Sequence, residues 1–329
     1  MPAVAPGCQE VVTSFLPGCG ELPIVVSPVP EVFPTATMLC ELIESQRCWM
    51  DDLLNRYGGV LFRGFSVKTT DEFRQISLAA VPALLPYIEG QSPRTRVAEN
   101  VYTSTEFPPQ YRITLHNELS YTMNPPRRIV FHCQIEPAAG GETPIVDCRR
   151  VYRMMEPTIR RKFEVLGVRY LKNMHGQRMG LGKSWSEHFE TTDRGFIESW
   201  LQSNEIQFEW TADDSLRTWA NRVGTLRHPI TGQMHWFNQA NLFHITNIDE
   251  RHRRQMIDRY GMEQLPTHAV FGDGSEIPAE DLDLVRTVLW DNAVIFPWRQ
   301  GDVLVLDNYL VAHGRMPYTP PRRILVAMG

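Results

Sequence analysis

The stretch Arg112-Ile113-Thr114-Leu115-His116-Asn117-Glu118 decides how this chain is read. An extended, largely apolar approach runs into an imidazole and a carboxylate two positions apart. On a β-strand, residues i and i+2 point to one face, so both side chains can reach a single ion. A distant His would complete a 2-His-1-carboxylate set, which leaves open positions on a redox metal.

The spacing alone is weak evidence. With ten His in the chain, about one such pair is expected by accident. A second one is present, His188-Phe189-Glu190, in the polar run Lys183-Ser184-Trp185-Ser186-Glu187. That run reads as a loop, and the second pair as a surface feature.

For the third ligand the candidates in partly apolar surroundings are His132, His228, His235, His244 and His313. Each by itself is more simply a core histidine. His313 rises above the others because of the residues around and after it. The run Asp307-Asn308-Tyr309-Leu310-Val311-Ala312-His313-Gly314-Arg315 leads to Arg322-Arg323, which open the apolar strand Ile324-Leu325-Val326-Ala327-Met328. A charge entering a buried strand is costly unless it meets an anion. A guanidinium beside a metal suits an anionic cosubstrate that coordinates the metal at its other end. Gly140-Gly141-Glu142-Thr143 offers a second group. As a bare turn Gly-Gly is common punctuation, but Thr143 opens the next strand with a hydroxyl able to share a carboxylate with an arginine.

Working outward, residues 1–35 are rich in Pro and Gly and read as a surface-lying segment. A helical pattern spans 37–57, with Gly58 as its stop. A buried strand comes next at 60–65, and Thr69 with Glu72 forms a capping box opening a helix over 70–84. Residues 127–137 and 143–146 read as strands around the Gly-Gly turn. Helix is expected at 149–166, divided in two by Pro157. The region 150–290 is rich in insertions, with helices near 193–203, 249–260 and 278–291. Strands at 293–298, 302–307 and 322–328 close the chain. Strands flanking a helix-bearing middle predict a mainly β fold with flanking helices, a jelly-roll core. No linker or repeat divides 1–329, so a single domain is expected.

Composition bounds the function class. A net charge of −5 gives no reason to expect nucleic acid or an anionic membrane as partner. No apolar run has the length of a membrane span. The N-terminus lacks the basic and apolar regions of a signal peptide. Six scattered cysteines without a C-x-x-C pair read as reduced thiols, with the cytoplasm as default compartment.

Taken together, His116-x-Glu118, Gly140-Gly141-Glu142-Thr143, His313 and Arg322-Arg323-Ile324 resemble the taurine dioxygenase (TauD/TfdA) group of iron(II)/2-oxoglutarate oxygenases. The likeness runs from Val60-Leu61-Phe62-Arg63-Gly64-Phe65 to the C-terminus. It looks strongest to the branch that includes the syringomycin-type aspartate β-hydroxylases, with runs such as Asn100-Val101-Tyr102-Thr103-Ser104-Thr105-Glu106, Trp236-Phe237-Asn238-Gln239 and Gly301-Asp302-Val303-Leu304-Val305-Leu306-Asp307-Asn308.

The resemblance implies a double-stranded β-helix with Fe(II) held by His116, Glu118 and His313. It implies 2-oxoglutarate on the iron, its distal carboxylate on Thr143 and Arg323, with Arg322 as the alternative, and O2 as the oxidant. Succinate and carbon dioxide would leave, and a substrate C–H would be hydroxylated. Glu118 argues against halogenation, whereas desaturation, epoxidation and cyclisation use the same core. An amino-acid-like substrate, free or tethered to a carrier protein, is the class the branch implies, in secondary-metabolite (antibiotic) biosynthesis. Arg112, Tyr121, Trp236 and Asn238 are its pocket candidates. The rival readings are a His2Glu zinc hydrolase and a non-catalytic jelly-roll binding protein.

Overall fold

Strand alternation sorts the apolar residues into two layers. On the strand Val303–Asp307, Leu304 and Leu306 face one core, while Val303 and Val305 face another. The computed structural model describes residues 10–87, 94–176 and 182–329. Its largest sheet has eight strands in the order Val11–Phe15, Ile24–Pro28, Gly59–Phe62, Val303–Asp307, Arg128–Ile135, Arg323–Met328, Val101–Thr103 and Arg96–Ala98. The helices Ala36–Ser45, Arg47–Tyr57 and Thr70–Ala80 cover one face, burying Leu39, Ile43, Leu53, Phe73 and Ile76.

The opposite face meets a three-stranded sheet made of Ile113–His116, Val311–Arg315 and Ile145–Asp147. Phe131, Ile324 and Val326 from the large sheet pack with Leu115, Ile145 and Val311 from the small one. This second core positions the site. An accessory four-stranded sheet, Gln207–Trp210, Leu216–Arg222, Val168–Met174 and Thr267–Phe271, is built from the insertion-rich middle.

Local signals fare well. The capping box is formed, with Thr69 accepting from the Glu72 N–H and Glu72 from the Thr69 N–H. Pro157 starts the second of two helices, Cys148–Met154 and Pro157–Leu166. The helices Arg194–Ser203, Glu250–Tyr260 and Ala279–Asp291 lie where the pattern put them. The helical pattern at 37–57 breaks once, at Gln46. Gly58 ends it in the left-handed region (φ 79°), and a Cβ there would lie 2.6 Å from Val311, so only glycine fits.

Other expectations are corrected. Residues 10–35 are not a surface segment throughout, because Ile24, Val25 and Val26 are buried in the strand that pairs in parallel with Gly59–Phe62. The third helix stops at Ala80, since Pro82 comes directly after its C-cap Val81. Residues 293–298 form no strand, only a bridge between Val294 and Ile145. His188 sits on a short helix, Trp185–Phe189, opened by a Ser184–Glu187 capping box, rather than in a loop. Among the described residues no helix is long and apolar enough to cross a membrane.

Candidate metal centre and anion pocket

His116 and His313 are direct cross-strand partners in the small sheet, so their side chains share a face and their ring centroids lie 4.6 Å apart. Glu118 is not on that strand. The strand ends at His116, and Glu118 lies in the turn beyond it, next to Leu119 in the left-handed region (φ 53°). Glu118 therefore joins the two imidazoles, but not through i, i+2 alternation. It is brought in by its backbone: Asn308 Oδ1 accepts from the Glu118 N–H at 2.7 Å, and Asn308 Nδ2 donates to the Glu118 carbonyl at 2.9 Å. Gln239 and Asn241 donate to the Asn117 and Leu115 carbonyls. All three clamp residues are buried.

The ligand atoms of His116, Glu118 and His313 lie within 4.8 Å of one another, with His313 Nε2 3.5 Å from Glu118 Oε2. The tautomer of His116 is fixed by its neighbour. Nδ1 lies 2.8 Å from the Thr114 carbonyl, which can only accept, so Nδ1 carries the hydrogen and the Nε2 lone pair is free. Burial, then the charge of His313, pushes the His116 pKa down to about 4, which keeps the ring in its ligating neutral form. Burial alone would raise the Glu118 carboxyl, but Arg94 and the two imidazoles outweigh it and hold it well below the usual range. Two imidazoles and one ionised carboxylate converging on one point are a donor set that suits a divalent iron.

A cavity beside this triad is lined by Arg94, Ser104, Thr105, Phe131, Thr143, Arg315 and Arg322, together with His116 and His313. Arg322 enters it, and Arg323 does not. On this strand Ile324, Val326 and Met328 face the second core; Arg322, just before the strand and its register shift at Arg323/Ile324, lines the cavity, whereas Arg323 is exposed. Arg322 Nε donates to the Gly141 carbonyl at 2.9 Å and Nη1 to Ser104 Oγ at 3.1 Å. These two bonds fix the plane of the guanidinium, and Nη2 has no protein partner among the described residues. Burial, then the charge of Arg315, pushes its pKa down to about 10; an anion there would relieve both. Thr143 is buried, and its Oγ1 accepts from Trp298 Nε1 at 3.1 Å, so its own hydrogen is free to be donated. Arg315 is held by four backbone carbonyls, those of Thr105, Phe107, Pro108 and Tyr111.

The substrate candidates fare differently. Arg112 is exposed and lies over the Trp290 ring at 4.2 Å, which occupies its guanidinium away from the triad. Trp236 is core, packed on Phe163 with ring centroids 4.7 Å apart. Asn238 is buried too, with its amide spent on the Gly224 carbonyl and the Ala240 N–H. Tyr121 packs on Tyr170 and Phe243, with Lys172 Nζ 4.6 Å from its ring centre. None of these four lines the cavity beside the triad. A larger cavity of about 760 Å³, lined by residues that include Met123, Leu226 and Tyr309, contains none of the triad.

Arg94 is the functional residue that motif reading missed. It ion-pairs with Glu118 at 2.8 Å, its side chain 4 % exposed. It belongs to no recognisable motif, and the short strand that follows, Arg96–Ala98, is not apolar enough to have drawn attention to it.

Comparison with known proteins places the chain in a family. Residues 31–328 match the family model described as taurine catabolism dioxygenase TauD, TfdA family. The dapdiamide synthesis protein DdaC of Enterobacter agglomerans is 39% identical over 279 residues, covering 85% of this chain and 84% of that protein. A clavaminate synthase-like protein of Arabidopsis thaliana is 32% identical over 318 residues, covering 93% of each. Among solved structures, PvcB, described as an Fe, alpha-ketoglutarate dependent oxygenase from an isonitrile synthetic pathway, superposes with a TM-score of 0.56 at 16% identity, over 100% of this chain and 94% of its own. A taurine dioxygenase from Burkholderia xenovorans gives 0.51 at 13% identity, over 97% and 89%.

Proposed function

The chain belongs to the taurine catabolism dioxygenase TauD, TfdA family, and on that premise we propose that it hydroxylates an unactivated C–H of an amino-acid-like small molecule in a biosynthetic pathway. It is a 2-oxoglutarate-dependent non-haem iron dioxygenase. In this reading His116, Glu118 and His313 hold Fe(II), and the large and small sheets are the two walls of a double-stranded β-helix within a single domain. Arg322, rather than Arg323, receives the distal carboxylate of 2-oxoglutarate together with Thr143.

The observation that carries the reading is the Arg322–Thr143 cradle beside the triad. A half-satisfied guanidinium and a hydroxyl with a free hydrogen line the same cavity as His116 and His313. A zinc hydrolase has no use for such a cradle.

Iron with 2-oxoglutarate supplies oxygen activation coupled to decarboxylation, releasing succinate and carbon dioxide. The protein does the rest. Arg322 and Thr143 fix the far end of the cosubstrate, so its 2-oxo acid end is aimed at the triad. The small sheet sets the two imidazoles, and Asn308 sets the backbone that presents the carboxylate. Phe131 packs edge-on against His313 at 5.1 Å and keeps that wall apolar. The amino-acid-like substrate is supported by the likeness to a dapdiamide synthesis protein; presentation on a carrier protein is the extension to test after free amino acids.

Anaerobic addition of Fe(II) and 2-oxoglutarate should give the visible charge-transfer band of the chelate, and oxygen should then release succinate. Arg322→Ala should move the band to far higher 2-oxoglutarate concentration, and Arg323→Ala should leave it in place. No band with the unaltered protein would overturn the reading. Product analysis on amino acids and carrier-bound aminoacyl groups distinguishes hydroxylation from desaturation, epoxidation or cyclisation.

A further inference from the structure

We propose that Arg94 is a specificity residue: its unpaired edge receives a carboxylate of the substrate, so the protein acts on an acid at a carbon close to that carboxylate. The inference rests on the iron and 2-oxoglutarate reading of the neighbouring groups and extends it to the substrate.

Arg94 is almost fully buried, yet among the described residues its guanidinium has one hydrogen-bond partner. Nη2 donates to Glu118 Oε2 at 2.8 Å, while Nε and Nη1, both buried, have no hydrogen-bond partner among the described residues. Buried polar groups are paired in the great majority of proteins, so an orphaned pair on one cation needs a cause. The guanidinium lies over the Tyr87 ring at 4.2 Å, which fixes its plane and leaves in-plane approach for hydrogen bonding. It lines the same cavity as the triad and Arg322.

The other two arginines of the cavity are accounted for. Arg315 is wrapped by four carbonyls, and Arg322 is seated on Gly141 and Ser104. A divalent ion and a dicarboxylate cosubstrate cancel each other in charge, so neither neutralises Arg94. Glu118 shares its charge with the metal once one is bound, which weakens its hold on Arg94. Nε and Nη1 lie on different edges of the fork, and either of them, with the second hydrogen of Nη2, offers a carboxylate a two-point contact. Because Arg94 touches the metal-binding carboxylate itself, a group held on its free edge sits beside the metal, and the C–H presented there is near that group.

The alternative is that Arg94 only positions Glu118. Binding measurements on the anaerobic Fe(II)–2-oxoglutarate protein separate the two. The probes are acetate and L-alanine, with acetamide and L-alaninamide as counterparts that carry no carboxylate. Each is titrated while the charge-transfer band is monitored, and metal content is measured in parallel. We expect the carboxylates to perturb the band and the matching amides to bind about 100-fold more weakly. Arg94→Gln, compared at Fe(II) concentrations that saturate its site, should abolish that discrimination, and Arg94→Lys should restore part of it. Three results would overturn the proposal: equal binding of acids and amides, no carboxylate effect in the unaltered protein, or an Arg94→Gln variant that still discriminates or cannot be loaded with metal. If the band itself never forms, the iron and 2-oxoglutarate reading fails instead, and the two failures are distinguishable.

Discussion

Among the described residues two clusters contain two histidines and a glutamate, and they look alike by distance. The rings of His116 and His313, beside Glu118, have centroids 4.6 Å apart, and those of His244 and His268, beside Glu276, are 4.6 Å apart as well. The far ring nitrogens tell them apart. In the first, a carbonyl facing Nδ1 of His116 leaves Nε2 bare. In the second, backbone N–H groups face the rings: Thr246 N–H donates to His244 Nδ1 at 3.2 Å, and Ile245 N–H to His268 Nδ1 at 3.4 Å. Both of those rings must then carry hydrogen on Nε2, where they donate to the Glu276 carboxylate at 2.8 and 3.2 Å. One cluster is open to a cation, and the other is closed by its own hydrogens. Ligand spacing is common; the partner on the outer nitrogen decides.

The sharpest way to break this contrast is to count metal. His116→Ala, Glu118→Ala or His313→Ala should abolish tight Fe(II) binding and cut succinate formation by at least about 1000-fold. His268→Ala should leave the metal content per chain unchanged. Two metals per chain in the intact protein, one of them lost with His268, would show that the tautomer assignment is wrong.

Next in size is the anion cradle. Removing one partner of a buried charge pair costs roughly 2–5 kcal/mol, so Arg322→Ala should raise the 2-oxoglutarate requirement by about 100-fold or more. Arg323→Ala should change it less than about 3-fold, as expected for an exposed charge. The reverse ranking would return the role to Arg323.

Arg322 also marks how far the sequence could be read. The tandem arginines before an apolar run identify an anion handle, but a strand apolar on both faces does not say which parity points inward. Only the sheet partners do: Ile324, Val326 and Met328 share a core with Phe131 and Cys133. The capping box at Thr69 and Glu72 was legible because every group in it is local. The strand Ile24–Pro28 was not, because its pairing with Gly59–Phe62 is non-local and the Pro- and Gly-rich surroundings masked it. Arg94 was illegible for the same reason as Asn308, since each acquires meaning only by meeting a residue far away in the chain.

A third measurement concerns that clamp. Asn308→Ala removes two buried hydrogen bonds to the peptide of Glu118, at a cost of about 2–3 kcal/mol in denaturant unfolding, with metal affinity falling as well. Asn241→Ala, on the neighbouring strand carbonyl, should cost less. Equal costs would mean that Glu118 is positioned by its side chain instead.

The smallest effect belongs to the closed cluster. Burial would raise the Glu276 carboxyl, but the hydrogen bonds from His244 and His268 outweigh it and bring it down to about 2. A carboxylate with a depressed folded pKa stabilises above its unfolded value and loses that contribution as pH falls through the folded one. Glu276→Gln should therefore be destabilising at pH 7, with a cost that begins to shrink below about pH 4.5. Because Glu276 is 56% exposed, solvent screening keeps the effect under about 1 kcal/mol. A cost that grows on acidification would contradict the hydrogen-bonded assignment.

The Asn308 clamp has one more consequence. Since it grips the peptide of Glu118 and not the carboxylate, the socket and the plug are separate parts. The side chain at 118 can be shortened or exchanged while the turn that presents it stays in place. The scaffold is thus suited to redesign at a single position, where swapping one side chain changes what the ion sees without asking the surrounding sheets to repack.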